Sequence, residues 1–190
     1  KVLYVEGPPR WEYRFAVNSL KREKTVTLSC WLTSADDFFA QEASSDAARI
    51  TALPLTQDEW NKYDVVIFGD VSRYDFTEEQ LRQVEKFVRE RGGGFAMIAG
   101  DLFSPQQWVD TPIATLLPVE IDRTAGPDRI RRTSTFNMVL TPEGKASPIL
   151  RFEREPERNE DTIKAFPGFI WYKNVLGLKP VAEVLAEHPL

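Results

Sequence analysis

Three carboxylates follow apolar runs in this chain, each at a place where a strand would end. Glu6 follows Val2-Leu3-Tyr4-Val5, Asp70 follows Val65-Val66-Ile67-Phe68-Gly69, and Asp101 follows Phe95-Ala96-Met97-Ile98-Ala99-Gly100. Arg10, Ser72 and Arg73 lie a few residues beyond them. In an open parallel sheet the carboxyl ends of the strands line the crevice where ligands bind. Glu6, Asp70 and Asp101 would then face one crevice, together with Arg10, Ser72, Arg73, Ala99 and Gly100. Such a set could bind a small polar ligand, or divide acid and base roles in hydrolysis if one carboxylate has a raised pKa. A local reading competes with it. Asp is favoured in turns because its carboxylate accepts backbone N–H groups, and either aspartate could pair with the nearby arginines.

Other chemistry is narrowed by what the chain contains. Cys30 is its one cysteine and His188 its one histidine, which excludes an internal disulfide and a cysteine-rich zinc site. Cys30 lies inside the apolar run Val26 to Leu32 and reads as a small buried residue rather than a nucleophile. Gly92-Gly93-Gly94 precedes a strand, whereas a phosphate loop joins a strand to a helix N-terminus, so it reads as a helix stop. Glu6-Gly7-Pro8-Pro9-Arg10 lacks dinucleotide-binding glycine spacing, and its prolines remove amides such a loop would offer. No metal and no cofactor is expected.

The elements that must place these residues alternate in type. Val2 to Val5 reads as a buried strand, and a helix follows from Trp11, with Trp11, Phe15 and Leu20 expected on its buried face and Val17 near it. Val26 to Leu32 has the β-branched and aromatic content of a second strand. The polar stretch Ser34 to Ala48 reads as a loop or a broken helix, Ile50 to Leu55 as a short strand or extended link, and Gln57 to Trp60 as a helical turn. Val65 to Phe68 is the clearest strand. Thr77-Glu78-Glu79-Gln80 has the capping-box pattern and opens a helix with Leu81, Val84, Phe87 and Val88 on its buried stripe. Phe95 to Ala99 forms the next strand.

Strand, helix and strand in that order predict a parallel α/β sheet with right-handed crossovers. Beyond Thr111-Pro112 a short helix over Ile113 to Leu117 is expected, then strands around Phe136 to Leu140 and Ile170 to Val175. The mixed-charge run Glu153 to Asp161 reads as a solvated loop. The fold class expected is α/β, a flavodoxin-like three-layer α/β/α sandwich with a mostly parallel sheet and additional C-terminal strands. Residues 1–190 read as one domain, with a parallel core over 1–120 and an irregular, strand-rich part over 121–190.

Val2-Leu3-Tyr4-Val5-Glu6-Gly7-Pro8-Pro9-Arg10-Trp11-Glu12-Tyr13-Arg14 resembles the opening of class I glutamine amidotransferase-like domains in large bacterial membrane-anchored proteins, some of which carry von Willebrand A domains. Asp64 to Asp70, Gly92 to Gly100, Thr111 to Val119 and Leu140 to Gly144 resemble the same family in the same order. An active member needs a cysteine on the sharp turn after the central strand and a His-x-Glu pair to activate it. The resemblance places Ala99 or Gly100 at the cysteine position, with Asp101 next, and His188 is followed by Pro189 rather than leading to a glutamate. It therefore implies a catalytically degenerate domain, a non-catalytic binding or interaction module within a larger envelope-associated protein.

Composition agrees with a folded chain. Of 190 residues 42% are hydrophobic and 28% charged, outside the range of disordered segments. A net charge of -5 offers no general attraction to nucleic acid, and the basic cluster Arg129, Arg131, Arg132 is short. No apolar run reaches the roughly 18 residues that cross a bilayer. The chain begins inside a strand and reads as a piece of a longer protein, and the resemblance implies a soluble domain of a membrane-anchored one. Expected partners are other domains of the parent polypeptide, with Phe166, Phe169, Trp171 and Tyr172 as either edge packing or a docking segment.

Overall fold

The computed structural model describes residues 1–36, 38–124 and 135–189. Arg129, Arg131 and Arg132 lie outside the described residues. Four parallel strands, β1 (Val2–Glu6), β2 (Leu28–Leu32), β3 (Val65–Phe68) and β4 (Gly94–Met97), form one sheet in the order β2-β1-β3-β4. Tyr4 stands beside Cys30 and Ile67, and Val5 beside Trp31 and Phe68. Period-two alternation therefore gives every strand two faces to bury.

Each face has its own helices. Tyr4, Leu28, Cys30 and Leu32 pack with Tyr13 and Val17 of α1 (Trp11–Arg22). On the opposite face Leu3, Val5, Val66 and Phe68 pack with Trp60 of α2 (Gln57–Trp60), with Leu81, Val84 and Phe87 of α3 (Glu78–Arg89), and with Ile113 of α4 (Pro112–Leu116). This is the flavodoxin-like three-layer α/β/α arrangement. The capping box of α3 forms as its sequence predicts: the Gln80 N–H donates to Thr77 Oγ1, and the Thr77 N–H donates to Gln80 Oε1. Gly92, at φ 77°, ends the following turn, and the Gly93 N–H closes back on the Phe87 carbonyl at 3.0 Å.

The buried face of α1 differs from the expectation. Trp11 and Phe15 are 69% and 67% exposed, and Tyr13 and Val17, with Leu20 partly buried, face the sheet. Residues 13, 17 and 20 follow helical spacing as closely as 11, 15 and 20, so periodicity alone could not choose between them. One lysine and one arginine, Lys21 and Arg22, close the helix, favourable beside its negative dipole end.

The described residues divide into two compact units, 1–117 with 121–124, and 118–120 with 135–189. The second holds two small antiparallel ladders, β5 (Val119–Glu120) with β7 (Gly177–Leu178), and β6 (Val139–Leu140) with β8 (Ala186–Glu187). Phe136 and Phe169 form a bridge, but no strand spans Ile170 to Val175, because the chain pairs with β5 only at β7. Thr141 caps α5 (Pro142–Ala146) by accepting the Gly144 N–H. The run expected as a solvated loop is largely helical, forming α6 (Pro156–Lys164). Proline at its first turn, Glu157 near the start and Lys164 near the end suit a helix, and buried Ile163 anchors it. Asn159 adds a second anchor by accepting the Phe152 and Glu153 N–H groups.

Candidate functional site at the strand ends

The parallel sheet brings the carboxyl ends of β1, β3 and β4 together, and the first and third of these are joined through Arg10. Glu6 is fully buried. Its Oε1 accepts the Asp70 N–H at 2.6 Å and Arg10 Nε at 3.2 Å, and its Oε2 accepts the Tyr4 hydroxyl at 3.0 Å. Arg10 uses its remaining nitrogens on the turn after β4, donating from Nη1 to the Ala99 carbonyl at 2.7 Å and from Nη2 to the Ile98 carbonyl at 2.9 Å. A guanidinium presents several donors in one plane, so a single side chain can clamp a carboxylate on one side and two carbonyls on the other.

Asp70 is also buried and its acceptors are engaged. Oδ1 accepts the Phe103 and Ser104 N–H groups at 2.7 and 2.8 Å, and Oδ2 accepts that of Leu102 at 2.8 Å. The local reading of this aspartate, that it caps the turn just after it or pairs with a nearby arginine, is replaced by a long-range one: it organises the turn that follows β4, accepting from residues 32 to 34 positions on. Ser104 extends the network, donating to the Gly69 carbonyl at 2.8 Å and accepting Trp108 Nε1 at 3.0 Å. Gly100 lies so close that a Cβ there would meet Asp70 Cγ at 2.1 Å, and its N–H donates to the Ser104 carbonyl.

The other predicted residues fall outside this network. Ser72 donates to Gln107 Oε1 at 3.1 Å and accepts the Tyr74 N–H at 3.2 Å. Arg73 pairs with Glu78 at 3.2 Å and lies over the Tyr74 ring. Asp101 is exposed, and no hydrogen bond or ion pair ties its side chain to Glu6 or Asp70. Three carboxylates therefore do not converge. Among the described residues no group of three or more potential ligands could hold a metal ion. Open grooves of about 590 Å³, beside Thr141 and Glu183, and about 330 Å³, beside Arg49 and Tyr63, include none of the strand-end residues.

Electrostatics follow burial. Removal from water raises the proton affinity of Glu6, opposed by the Arg10 charge and by the hydrogen bonds from Tyr4 and the Asp70 amide. Burial pushes the Cys30 thiol up to about 12, which leaves almost no thiolate at neutral pH. The His188 ring packs against Phe136 and Tyr172, with centroids 4.3 and 4.6 Å apart. Of the aromatic segment expected to pack or dock, Phe166 meets Phe152, Tyr172 meets Phe136, and Phe169 stays about half exposed. Sequence reasoning missed Tyr4 and Trp108 as parts of the strand-end network. The signal for Tyr4 was a hydroxyl two residues before Glu6 in the same strand, which places both side chains on one face.

No family model matches the chain, and no curated protein matches it. A solved structure does: that of a cytoplasmic protein from Salmonella typhimurium, covering 100% of this chain and 79% of its own, at 18% identity and a TM-score of 0.67. At that identity the likeness speaks to fold alone. The fold is α/β and flavodoxin-like. Among the described residues, no helix is long and apolar enough to cross a membrane.

Proposed function

We propose that this chain is a glutamine amidotransferase-like domain without the family's nucleophile, serving as a non-catalytic binding or interaction module of a larger, envelope-associated bacterial protein. The turn after β4 carries the reading. Ala99 and Gly100 stand where the resemblance puts the cysteine, the carbonyls of Ile98 and Ala99 are held by Arg10, and Gly100 is pressed against Asp70. A nucleophile needs a turn that exposes its side chain and a base that activates it. Here the turn is tied down by buried groups, and Cys30 is a buried, protonated thiol. The envelope association rests on the ordered sequence resemblance.

Incubation with glutamine and measurement of ammonia tests it. Neither the wild-type chain nor an Ala99→Cys variant should release ammonia above the buffer rate. Release by the wild type that is lost on thiol alkylation would overturn the proposal.

A hydrolase built on the strand-end carboxylates has one observation in its favour, the raised proton affinity of Glu6. Against it, Glu6 is 0% exposed and its oxygens already accept from three protein groups. Asp101, exposed at the same strand end, is the carboxylate better placed to meet a small polar ligand. For contact with other domains, α1 offers Trp11 and Phe15, stacked 6.1 Å apart on its outer face with Arg14 beside Trp11.

A further inference from the structure

Both sides of the turn that follows β4 trace back to one buried carboxylate. On the near side Arg10 holds the carbonyls of Ile98 and Ala99, and its Nε donates to Glu6 Oε1 at 3.2 Å. On the far side the amides of Leu102, Phe103 and Ser104 bond the Asp70 carboxylate, and the Asp70 N–H donates to the same Glu6 oxygen at 2.6 Å. Gly69 lies so close that a Cβ there would overlap the Glu6 carboxyl group, which is therefore fixed in place. Exposed Asp101 sits between the two ties.

The ties differ in kind. The far one reaches Glu6 through a backbone N–H, and a neutral acid still has a carbonyl oxygen to accept it. The near one pairs a guanidinium whose side chain is 16% exposed with a carboxylate that is fully buried. A cation so placed is costly to keep once its counter-charge is gone. Among the described residues no other side chain donates to the Ile98 or Ala99 carbonyl. The groups that face Glu6 leave Arg10 as the one charge acting on it. From β1 comes the Tyr4 hydroxyl, a donor whose own proton is held more tightly through burial and the Glu6 charge. From β2 come Leu32, beside Glu6, and the protonated Cys30, beside Tyr4. From α1, Tyr13 packs on the Tyr4 ring, and Glu12 acts on Tyr4. After β3, Asp70 offers its amide and turns its carboxylate to residues 102–104.

We propose that Glu6 and Arg10 form a pH-sensitive latch on this turn: with Glu6 ionised, Arg10 grips Ile98 and Ala99, and with Glu6 protonated, Arg10 turns to water and that side of the turn loosens. The firmness with which the turn presents Asp101 then follows pH. Burial sets the working range. It raises the proton affinity of Glu6 by more than Arg10 and the hydrogen bonds from Tyr4 and the Asp70 amide lower it, so the latch opens as pH falls through a value above that of an unfolded glutamate, about 4.3. The latch does not rest on the amidotransferase reading, and either can fail alone.

Nuclear magnetic resonance of the full chain from neutral to mildly acidic pH tests it. The Ile98 and Ala99 carbonyls belong to the peptide groups of the Ala99 and Gly100 amides, so those two amide nitrogen shifts should move together with one midpoint. Gly100, whose N–H bonds the Ser104 carbonyl, should lose at least several-fold of its exchange protection across that midpoint, while β3 amides keep theirs. In Glu6→Gln the step should vanish, with Gly100 protected at every pH as weakly as in the acidic wild type. Asp101→Asn, outside the network, should keep the step. If Glu6→Gln does not fold, the carboxyl carbon of Glu6 in the wild type decides, because its midpoint must coincide with that of Ala99 and Gly100. A turn with no step, a step that survives Glu6→Gln, a step lost in Asp101→Asn, or a Glu6 midpoint apart from that of the amides each overturns the inference.

Discussion

At the scale of single residues, the strand-end carboxylates behave as clamps, and clamps have characteristic responses to substitution. Glu6→Ala would leave Arg10, the Tyr4 hydroxyl and the Asp70 amide without their shared acceptor, in a place where Arg10 is only 16% exposed. The expected loss is about 3–5 kcal/mol, the scale for removing one partner of a buried pair. Glu6→Gln keeps shape and one acceptor and should cost much less. It should also remove a pH dependence. Burial raises the proton affinity of Glu6 in the folded chain, so the folded state holds its proton to higher pH than the unfolded state, whose value is about 4.3. The stabilisation from that proton is fully present below the unfolded value and is lost as pH rises through the folded one. Urea titrations across mildly acidic pH should therefore show the wild type gaining stability relative to Glu6→Gln as pH falls through that window. A parallel pair of profiles would mean that Glu6 titrates as it does unfolded. Asp70→Asn replaces Oδ2 by an NH₂ that faces the Leu102 N–H, and about 1–3 kcal/mol should be lost in the same assay.

At the scale of elements, much was legible because local chemistry and burial agreed. The Val65–Phe68 strand has its expected bounds, and the α3 cap formed from Thr77 and Gln80 as spacing required. Where they disagreed, the signal was degenerate or tertiary. Helix α1 carries apolar residues around more than one face, and only the sheet decided that Val17 goes in and Trp11 out. Helix α6 has a single buried hydrophobic, Ile163, so its charge pattern resembled a solvated loop. In the strand-end site, neither the hold of Asp70 on residues 102 to 104 nor the reach of Arg10 across to residues 98 and 99 was visible, since nothing local links positions so far apart in sequence. The corrected face of α1 is checkable. Val17→Ala should cost about 1–3 kcal/mol by chemical denaturation, whereas Trp11→Ser and Phe15→Ser should each change stability by about 0.5 kcal/mol or less.

At the scale of the whole chain, burial is unevenly distributed between the two units. Both hydrophobic clusters consist of residues of the first unit, from Val2 to Ile121, and they close both faces of a four-stranded sheet. Among the described residues of the second unit, Ile163 alone is a buried hydrophobic, and its ladders are each two residues long. Short two-stranded ladders are marginal on their own, and stability in small domains follows the apolar area they bury. A fragment of residues 1–124 should therefore fold alone and unfold cooperatively, retaining β1 to β4 with α1 to α4. Residues 135–190 alone should show no cooperative thermal transition by circular dichroism. Ile121 packs against the first unit's core, so ending the fragment at residue 117 instead should lower its midpoint relative to 1–124. A 1–124 fragment that melts without a transition would mean that the parallel sheet depends on the rest of the chain for more than its covalent continuity, and its clusters could not then be counted as a self-sufficient core.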